Sequence, residues 1–426
     1  MILKVQPAQS LNGTVRLPAS KSYSIRAFII AACSSFAGAK GGRKSKILHP
    51  SDCDDAKVAF TVGKALSAKV LRSQIINVRE SGTVLRFLLP LLALRIPCGK
   101  KVTVVGEGTL IGRPNVHLLN TLRACGVDIK GTGPKESVPI TINGGTLRSG
   151  KIKIDGSLSS QFISSLLIAC PQLKEDSDII LTGKTLVSSD YIVMTNLILK
   201  EAGVVVKKIS NRHYHIKGSQ TFSGLKNFEV PSDYGLAAFL LAAAALIPSN
   251  VTLQGSFQDQ FIQADGRILE FLKKMGVRWE RRKNAMVIKG PFALKGGTFS
   301  LKDCPDLVPI MAVLGLFAKG GVRLKDIGHA RVKESDRISD LRQELLKIGA
   351  QVDESPNELR VFPLKAFNSL VTLDPHRDHR LAMAFTVLGL KTGITVADIE
   401  CVKKSYPQFV RDMKILCEQR TSLKLS

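Results

Sequence analysis

The stretch VPSDYGLAAFLLAAAALI (residues 230–247) sets a capping-competent aspartate, Asp233, ahead of a run that is apolar on every side. A helix of that kind belongs in an interior rather than on a surface. The run Gly235 to Pro248 is shorter than the roughly 20 residues that a bilayer span requires, so the helix is expected inside a protein core. The same design recurs along the chain. KSYSIRAFIIAA begins at Lys21, ESGTVLRFLLPLLAL at Glu80, SLSSQFISSLLIAC at Ser157, DCPDLVPIMAVLGLFA at Asp303 and DPHRDHRLAMAFTVLGL at Asp374. With Ser22, Thr83, Ser160, Asp233, Leu307 and Arg380 as markers, the steps are 61, 77, 73, 74 and 73 residues.

A second series lies between these helices. LLNTLRACGV, TNLILKEAGV, ILEFLKKMGV and LRQELLKIGA are amphipathic and end at Gly126, Gly203, Gly276 and Gly349. Glycine just past a helix is the expected stop, because it enters the left-handed region without steric cost. Each unit of about seventy residues reads strand, buried helix, strand, amphipathic helix, strand, strand, the periodicity of an internal repeat. Six units divide into two domains of three: residues 20–231 as one, and residues 1–19 with 232–426 as the other, the first strand completing the C-terminal half. Pro90 is expected to kink the second buried helix, whereas Pro309 falls in the first turn of its own.

Composition bounds the function. The 426 residues are 44% hydrophobic and 23% charged, as in a globular protein of two ordinary domains. Eight scattered cysteines show no C-x-x-C and no zinc spacing, which fits reduced thiols and a cytoplasmic location. The opening MILKVQPAQSLNG lacks the basic start and apolar core of a secretory signal. The pair His213 and His215 sits in an alternating stretch that reads as an edge strand rather than a metal site. Lys and Arg number 61 against 35 Asp and Glu, a net charge of +26. Only KGGRKSK (40–46) is dense, and no aromatics interleave with it as a nucleic-acid stacking surface requires. The charge suits steering of small anions. No G-x-x-x-x-G-K-[ST] loop or G-x-S-x-G elbow is present, so P-loop hydrolysis and acyl-serine chemistry have no support.

Helix N-termini carry unpaired N–H groups and partial positive charge, so six polar helix mouths converging on one cleft would form an anion site. Lys21, Ser22 and Arg26 fit a phosphate or carboxylate there, with simple capping and solvated basic side chains as the alternative. ARVKESDRISDL (330–341), read as a helix, places Lys333, Glu334 and Arg337 within one turn. It is either a solvated charge network or a glutamate held among cations for proton transfer. Asp306 stands before an apolar helix, as an N-cap or as a reactive carboxylate.

The segments SKSYSIR, SGTVLRF, GRP, SLSSQF, PDLVP, RVKESDR, DHRLAM and KKSYPQF occur in the order of motifs in the 5-enolpyruvylshikimate-3-phosphate synthases, from Ser20 to Phe409. The chain resembles that family over nearly its whole length. The resemblance implies an α/β fold of the two-domain enolpyruvyl transferase type, with six βαβαββ units around buried helices and an interdomain active-site cleft. It implies transfer of the enolpyruvyl group of phosphoenolpyruvate to the 5-hydroxyl of shikimate 3-phosphate, with release of phosphate and without metal or organic cofactor. Carried over by motif, Lys21, Ser22, Arg26, Ser159, Ser160, Gln161, Ser188, Tyr191, Asp306 and Lys333 hold shikimate 3-phosphate. Lys21, Gly82, Arg113, Gln161, Arg337, Arg380 and Lys404 hold phosphoenolpyruvate. Asp306 takes the part of base, Glu334 that of acid, and Lys21 assists departure of phosphate. Small anionic substrates, no nucleic acid, no membrane and a monomeric state are expected.

The sequence departs from the family pattern at Glu80, where many relatives carry asparagine, at Thr109, where a basic residue is common, and at His329, where some use asparagine. The turn SDYGL also departs from the more usual serine-rich one. These departures bear on affinity more than on reaction type. Two other readings stay open: a transferase acting on UDP-N-acetylglucosamine, and a non-catalytic basic protein that binds anions or nucleic acid. Against the first, Glu107 to Gly112 contains no cysteine.

Overall fold

The structure, a computed structural model, describes residues 1–34, 45–68, 73–96, 99–417 and 423–425. Cys98 and most of the basic run 40–46 lie outside the described residues. Twelve α-helices are described: α1 (Lys21–Cys33), α2 (Asp54–Ser67), α3 (Gly82–Arg95), α4 (Val116–Ala124), α5 (Ser160–Ala169), α6 (Asp190–Glu201), α7 (Tyr234–Leu246), α8 (Arg267–Lys274), α9 (Val308–Leu316), α10 (Ser339–Lys347), α11 (His379–Thr392) and α12 (Phe409–Leu416). The chain separates into two compact units, Lys21–Val230 and Met1–Ser20 with Pro231–Ser426. It passes between them twice, and Ser20 N donates to Pro231 O (2.7 Å) where the passages meet.

The odd-numbered helices are the apolar ones and form the two cores. Every residue of α9 is buried, and in α7 only Tyr234 is not. Each fully buried Leu, Ile or Val there contributes about 1.5–3 kcal/mol relative to exposure, which outweighs the poor surface amphipathicity of such helices. α3 runs unbroken from Gly82 to Arg95 through Pro90, its neighbours Leu88, Leu89, Leu91 and Leu92 all buried. The amphipathic helices α4, α6, α8 and α10 are followed by Gly126, Gly203, Gly276 and Gly349, all at positive φ between 80° and 94°.

Six sheets are found among the described residues, five four-stranded and one two-stranded. The repeat is visible in their register. Gly150–Asp155 pairs parallel with Ser177–Thr182 across α5, and Lys295–Ser300 with Lys319–Lys325 across α9. The antiparallel hairpin that follows α6 or α10 completes the sheet. The N-terminal segment supplies two strands to the C-terminal unit, one more than the sequence suggests. Leu3–Val5 lies between Ile394–Val396 and Leu423–Leu425, and Leu11–Arg16 pairs parallel with Ser249–Gln254.

His213–Ile216 is not an edge strand. It lies between Val206–Ser210 and Ser177–Thr182, because its hairpin partner covers the side that would be free. His213 Nε2 and His215 Nδ1 both meet Asp178 Oδ1, at 2.7 and 3.2 Å. Among the described residues no His, Cys, Asp or Glu group is arranged to hold a metal ion, and no helix is long and apolar enough to cross a membrane.

Candidate active site

In the N-terminal unit the polar mouths of α1, α3 and α5 carry most of the predicted residues. Lys21 opens α1 and pairs with Asp55 of α2, Nζ to Oδ2 at 3.1 Å, with both side chains largely buried. One turn on, Arg26 is 1% exposed. Its Nε donates to Thr195 Oγ1 (2.8 Å), Nη1 to Ser22 O (3.1 Å) and Nη2 to Tyr191 O (3.3 Å). Its guanidinium also lies 5.1 Å from the Phe87 ring centre and 5.6 Å from that of Tyr191. Those partners are all neutral. Burial pulls Arg26 down to about 10, opposed by Tyr191 and Tyr23. A buried cation without a carboxylate partner among the described residues favours an anion from outside.

Ser159 caps α5, its hydroxyl accepting from Gln161 N at 3.2 Å, and Ser160 is buried at the first position of that helix. The Gln161 amide accepts from Arg86 Nη1 (2.6 Å) and donates to Thr83 Oγ1 (2.9 Å). Gly82 opens α3 against Arg113, where a Cβ would stand 2.9 Å from Nη1. Only a residue without a side chain lets the guanidinium approach that helix mouth so closely. Ser188 is buried with φ +55° just before α6, on whose first turn Tyr191 sits.

In the C-terminal unit, side chains from four segments interlock. Arg337, 1% exposed, donates from Nη1 to Asp306 Oδ1 (2.6 Å), from Nη2 to Glu334 Oε2 (3.1 Å) and from Nε to Asp378 Oδ2 (2.7 Å). Asp306 also accepts from Arg380 Nη2 (3.0 Å), with Lys333 Nζ 3.9 Å away. Glu334 reaches Lys404 Nζ at 3.8 Å. The structure thus brings together Asp306, Lys333, Glu334, Arg337, Arg380 and Lys404. Burial alone would raise Asp306, but Arg380, Arg337 and Lys333 outweigh it and hold the carboxyl well below its ordinary range. Burial would lower Arg337, but Asp378, Asp306 and Glu334 hold it well above.

The segment carrying these charges is not a helix. Lys333 to Ile338 lies between the 3₁₀ turn Gly328–Val332 and α10, so the pairing of Glu334 with Arg337 arises in a loop. Asp336 is the reason. Its Oδ1 accepts from Ile338 N and Ser339 N, both at 3.1 Å, and starts α10 only at Ser339. Asp306 lies in the 3₁₀ turn Pro305–Leu307, where its carboxylate serves the arginines.

A family model for EPSP synthase (3-phosphoshikimate 1-carboxyvinyltransferase) matches residues 5–413. The chain belongs to the EPSP synthase family. The 3-phosphoshikimate 1-carboxyvinyltransferase of Methanocaldococcus jannaschii is 35% identical over 437 residues, covering 97% of this chain and 98% of its own. The enzyme of the same name from Buchnera aphidicola subsp. Cinara cedri is 33% identical over 435 residues, covering 97% of each. The fold is that of EPSP synthase from Acinetobacter baumannii, with a TM-score of 0.76 at 22% identity over 100% of this chain and 99% of that one. The enolpyruvyl transferase NikO from Streptomyces tendae is similar too, with a TM-score of 0.75 at 17% identity over 97% of each chain.

Some supporting residues escaped the sequence reading. Asp55, Arg86 and Thr195 each hold a predicted family residue, and Asp265 lies behind Arg380. Arg86 lies within SGTVLRF, and Asp55 in the acidic first turn of α2. Nothing local pointed to the other two.

Proposed function

We propose that the protein transfers the enolpyruvyl group of phosphoenolpyruvate to the 5-hydroxyl of shikimate 3-phosphate, in the shikimate pathway of aromatic amino-acid biosynthesis. The observation that carries this reading is that one guanidinium, Arg337, bears both carboxylates of the proposed proton transfers, Asp306 on Nη1 and Glu334 on Nη2. Addition to an enol ester needs a base at the attacking hydroxyl and an acid at the vinyl carbon, held at fixed separation. A planar, always-charged fork does that better than two independent side chains.

In this reading Asp306 accepts the proton of the 5-hydroxyl as its oxygen bonds to C2 of phosphoenolpyruvate, and Glu334 delivers a proton to C3. The tetrahedral adduct then loses a proton from the new methyl group as the C2–O bond to phosphate breaks. Lys21, with Asp55 as its counter-ion, neutralises the departing phosphate. Arg113, Arg337, Arg380 and Lys404, with Gly82 and Gln161, hold phosphoenolpyruvate. Ser22, Arg26, Ser159, Ser160, Gln161, Ser188, Tyr191 and Lys333 hold the acceptor. Eight scattered cysteines without C-x-x-C spacing support a cytoplasmic location, and a ligand set drawn from one chain supports a monomer.

The test is phosphate release from phosphoenolpyruvate with shikimate 3-phosphate or UDP-N-acetylglucosamine as acceptor, with Glu334→Gln in parallel. Release with the shikimate acceptor alone, falling by about 10²–10⁴-fold in the variant, is the expected result. Release with the sugar nucleotide alone, or with neither, overturns the reading.

A further inference from the structure

Three side chains meet around Gly235, in the first turn of α7, and a fourth, Asp306, joins them through Arg380. Arg380 donates through Nη1 to Gly235 O (2.8 Å) and through Nη2 to Asp306 Oδ2 (3.0 Å), and Nη2 also stands 3.8 Å from Asp265 Oδ2. A Cβ on Gly235 would lie 2.5 Å from Asp265 Oδ2, 2.8 Å from Arg380 Nη1 and 3.1 Å from Asp233 Oδ1. Glycine is what allows the cluster to close. Asp265, 5% exposed, sits in the 3₁₀ turn Ala264–Gly266. The groups facing it are Asp233 at the head of α7, Asp306 of the turn Pro305–Leu307, Arg380 of α11 and Lys333 of the loop before α10.

Three carboxylates thus crowd one guanidinium. An anionic ligand at Arg380 adds negative charge to a site already rich in it, and the cheapest relief in a buried cluster is to neutralise one carboxylate. Asp306 is held ionised by shorter contacts to Arg337 and Arg380, at 2.6 and 3.0 Å. Asp233 accepts from Leu236 N as the cap of α7. Asp265 has the longest contact with Arg380 of those measured. We propose that Asp265 is a positioning residue for Arg380 that takes up a proton when phosphoenolpyruvate docks there. The proposal rests on the reading of Arg380 as a ligand of phosphoenolpyruvate.

The resting state suits this role. Burial, reinforced by Asp306 and Asp233 and opposed by Arg380, pushes Asp265 up to about 7. By linkage, protonated Asp265 strengthens binding of the anion by the factor with which the anion favours protonation.

Two measurements test it. Kinetics of the parent and of Asp265→Asn across pH 6 to 8.5 should show KM for phosphoenolpyruvate rising about tenfold more steeply in the parent than in the variant. KM for shikimate 3-phosphate should not share that difference. Calorimetric titration of the parent with phosphoenolpyruvate, in buffers of different ionisation enthalpy, should show net proton uptake near pH 7 that vanishes at pH 5.5. The ligand's own phosphate, bound by cations, releases protons, so its contribution has the opposite sign. Parallel KM profiles overturn the proposal, as does an active parent that takes up no proton, and the second result stands even if the variant does not fold. A parent that releases no phosphate with shikimate 3-phosphate overturns the functional reading and this proposal together.

Discussion

Arg86 donates through Nη1 to the Oε1 of Gln161 at 2.6 Å, while the Nε2 of Gln161 donates to Thr83 Oγ1 at 2.9 Å. The amide is thereby held in one orientation, its oxygen toward a cation and its nitrogen toward α3. Arg86 is itself fixed by Asn115 Oδ1 (3.2 Å) and Pro114 O (3.2 Å). Arg86→Lys replaces this fork with a point charge that cannot keep all three bonds. KM for both substrates is expected to rise about tenfold, equivalent to about 1.4 kcal/mol. Steady-state kinetics with each substrate varied in turn provides the check, and unchanged KM values in a folded variant count against this role for Gln161.

Gly82→Ala tests the helix mouth. The new Cβ meets Arg113 Nη1 at 2.9 Å and Cζ at 3.1 Å, so the guanidinium must retreat by a few tenths of an ångström. Alanine suits a first helical turn, and global stability should stay within about 1 kcal/mol of the parent. The cost should appear as a rise of about tenfold in KM for phosphoenolpyruvate, measured beside a denaturant titration.

Two departures from the family pattern prove to be one contact. Glu80 Oε2 accepts from both the backbone N (3.1 Å) and the Oγ1 (2.8 Å) of Thr109. A basic residue at 109 has no need of this bond, and an asparagine at 80 would place no charge there. Thr109→Val, Glu80→Gln and the double variant should give a coupling energy of about 0.5–1 kcal/mol in unfolding experiments. Glu80→Gln should also bind phosphoenolpyruvate a few-fold more tightly, an effect that shrinks as salt screens the removed charge. Independent effects of the two substitutions would show that the contact contributes nothing.

His329 sets a stability limit in acid. It is 9% exposed, and burial, with Lys333 beside it, lowers it to about 3. The unfolded chain binds this proton near pH 6.5 and the folded chain does not. Its contribution is therefore fully present above pH 6.5 and is lost as pH falls toward 3. Between pH 7 and 4.5 the loss from this residue is about 2–3 kcal/mol. His329→Asn should flatten that part of the profile, read by urea titration at the two pH values. An equal pH dependence in parent and variant would falsify the assignment.

Much of the architecture was legible locally. Apolar-all-round helices recurring at about seventy residues, each behind a polar mouth, prescribe buried helices under repeated sheets, and the glycine after each amphipathic helix marks its end. The charge pattern of Lys333, Glu334 and Arg337 misled in one respect. Spacings of three and four read as a helix face, yet Asp336 uses its carboxylate to begin α10 two residues past Arg337, and the pairing forms in a loop. The strand His213–Ile216 misled in another, since its alternation describes two faces and says nothing of what lies along its edges.

The sequence by itself determined that buried and amphipathic helices alternate, which faces are apolar, and the order of family motifs, because each is written in the local residue pattern. Only the tertiary structure decided which charges meet. Arg337 and Asp306 are 31 residues apart, Arg380 and Asp306 are 74 apart, and Arg380 and Gly235 are 145 apart. Such pairings depend on which helix mouths the buried helices bring together. A carboxylate such as Asp265 acquires its character from burial and from neighbours on other elements, which no local window contains.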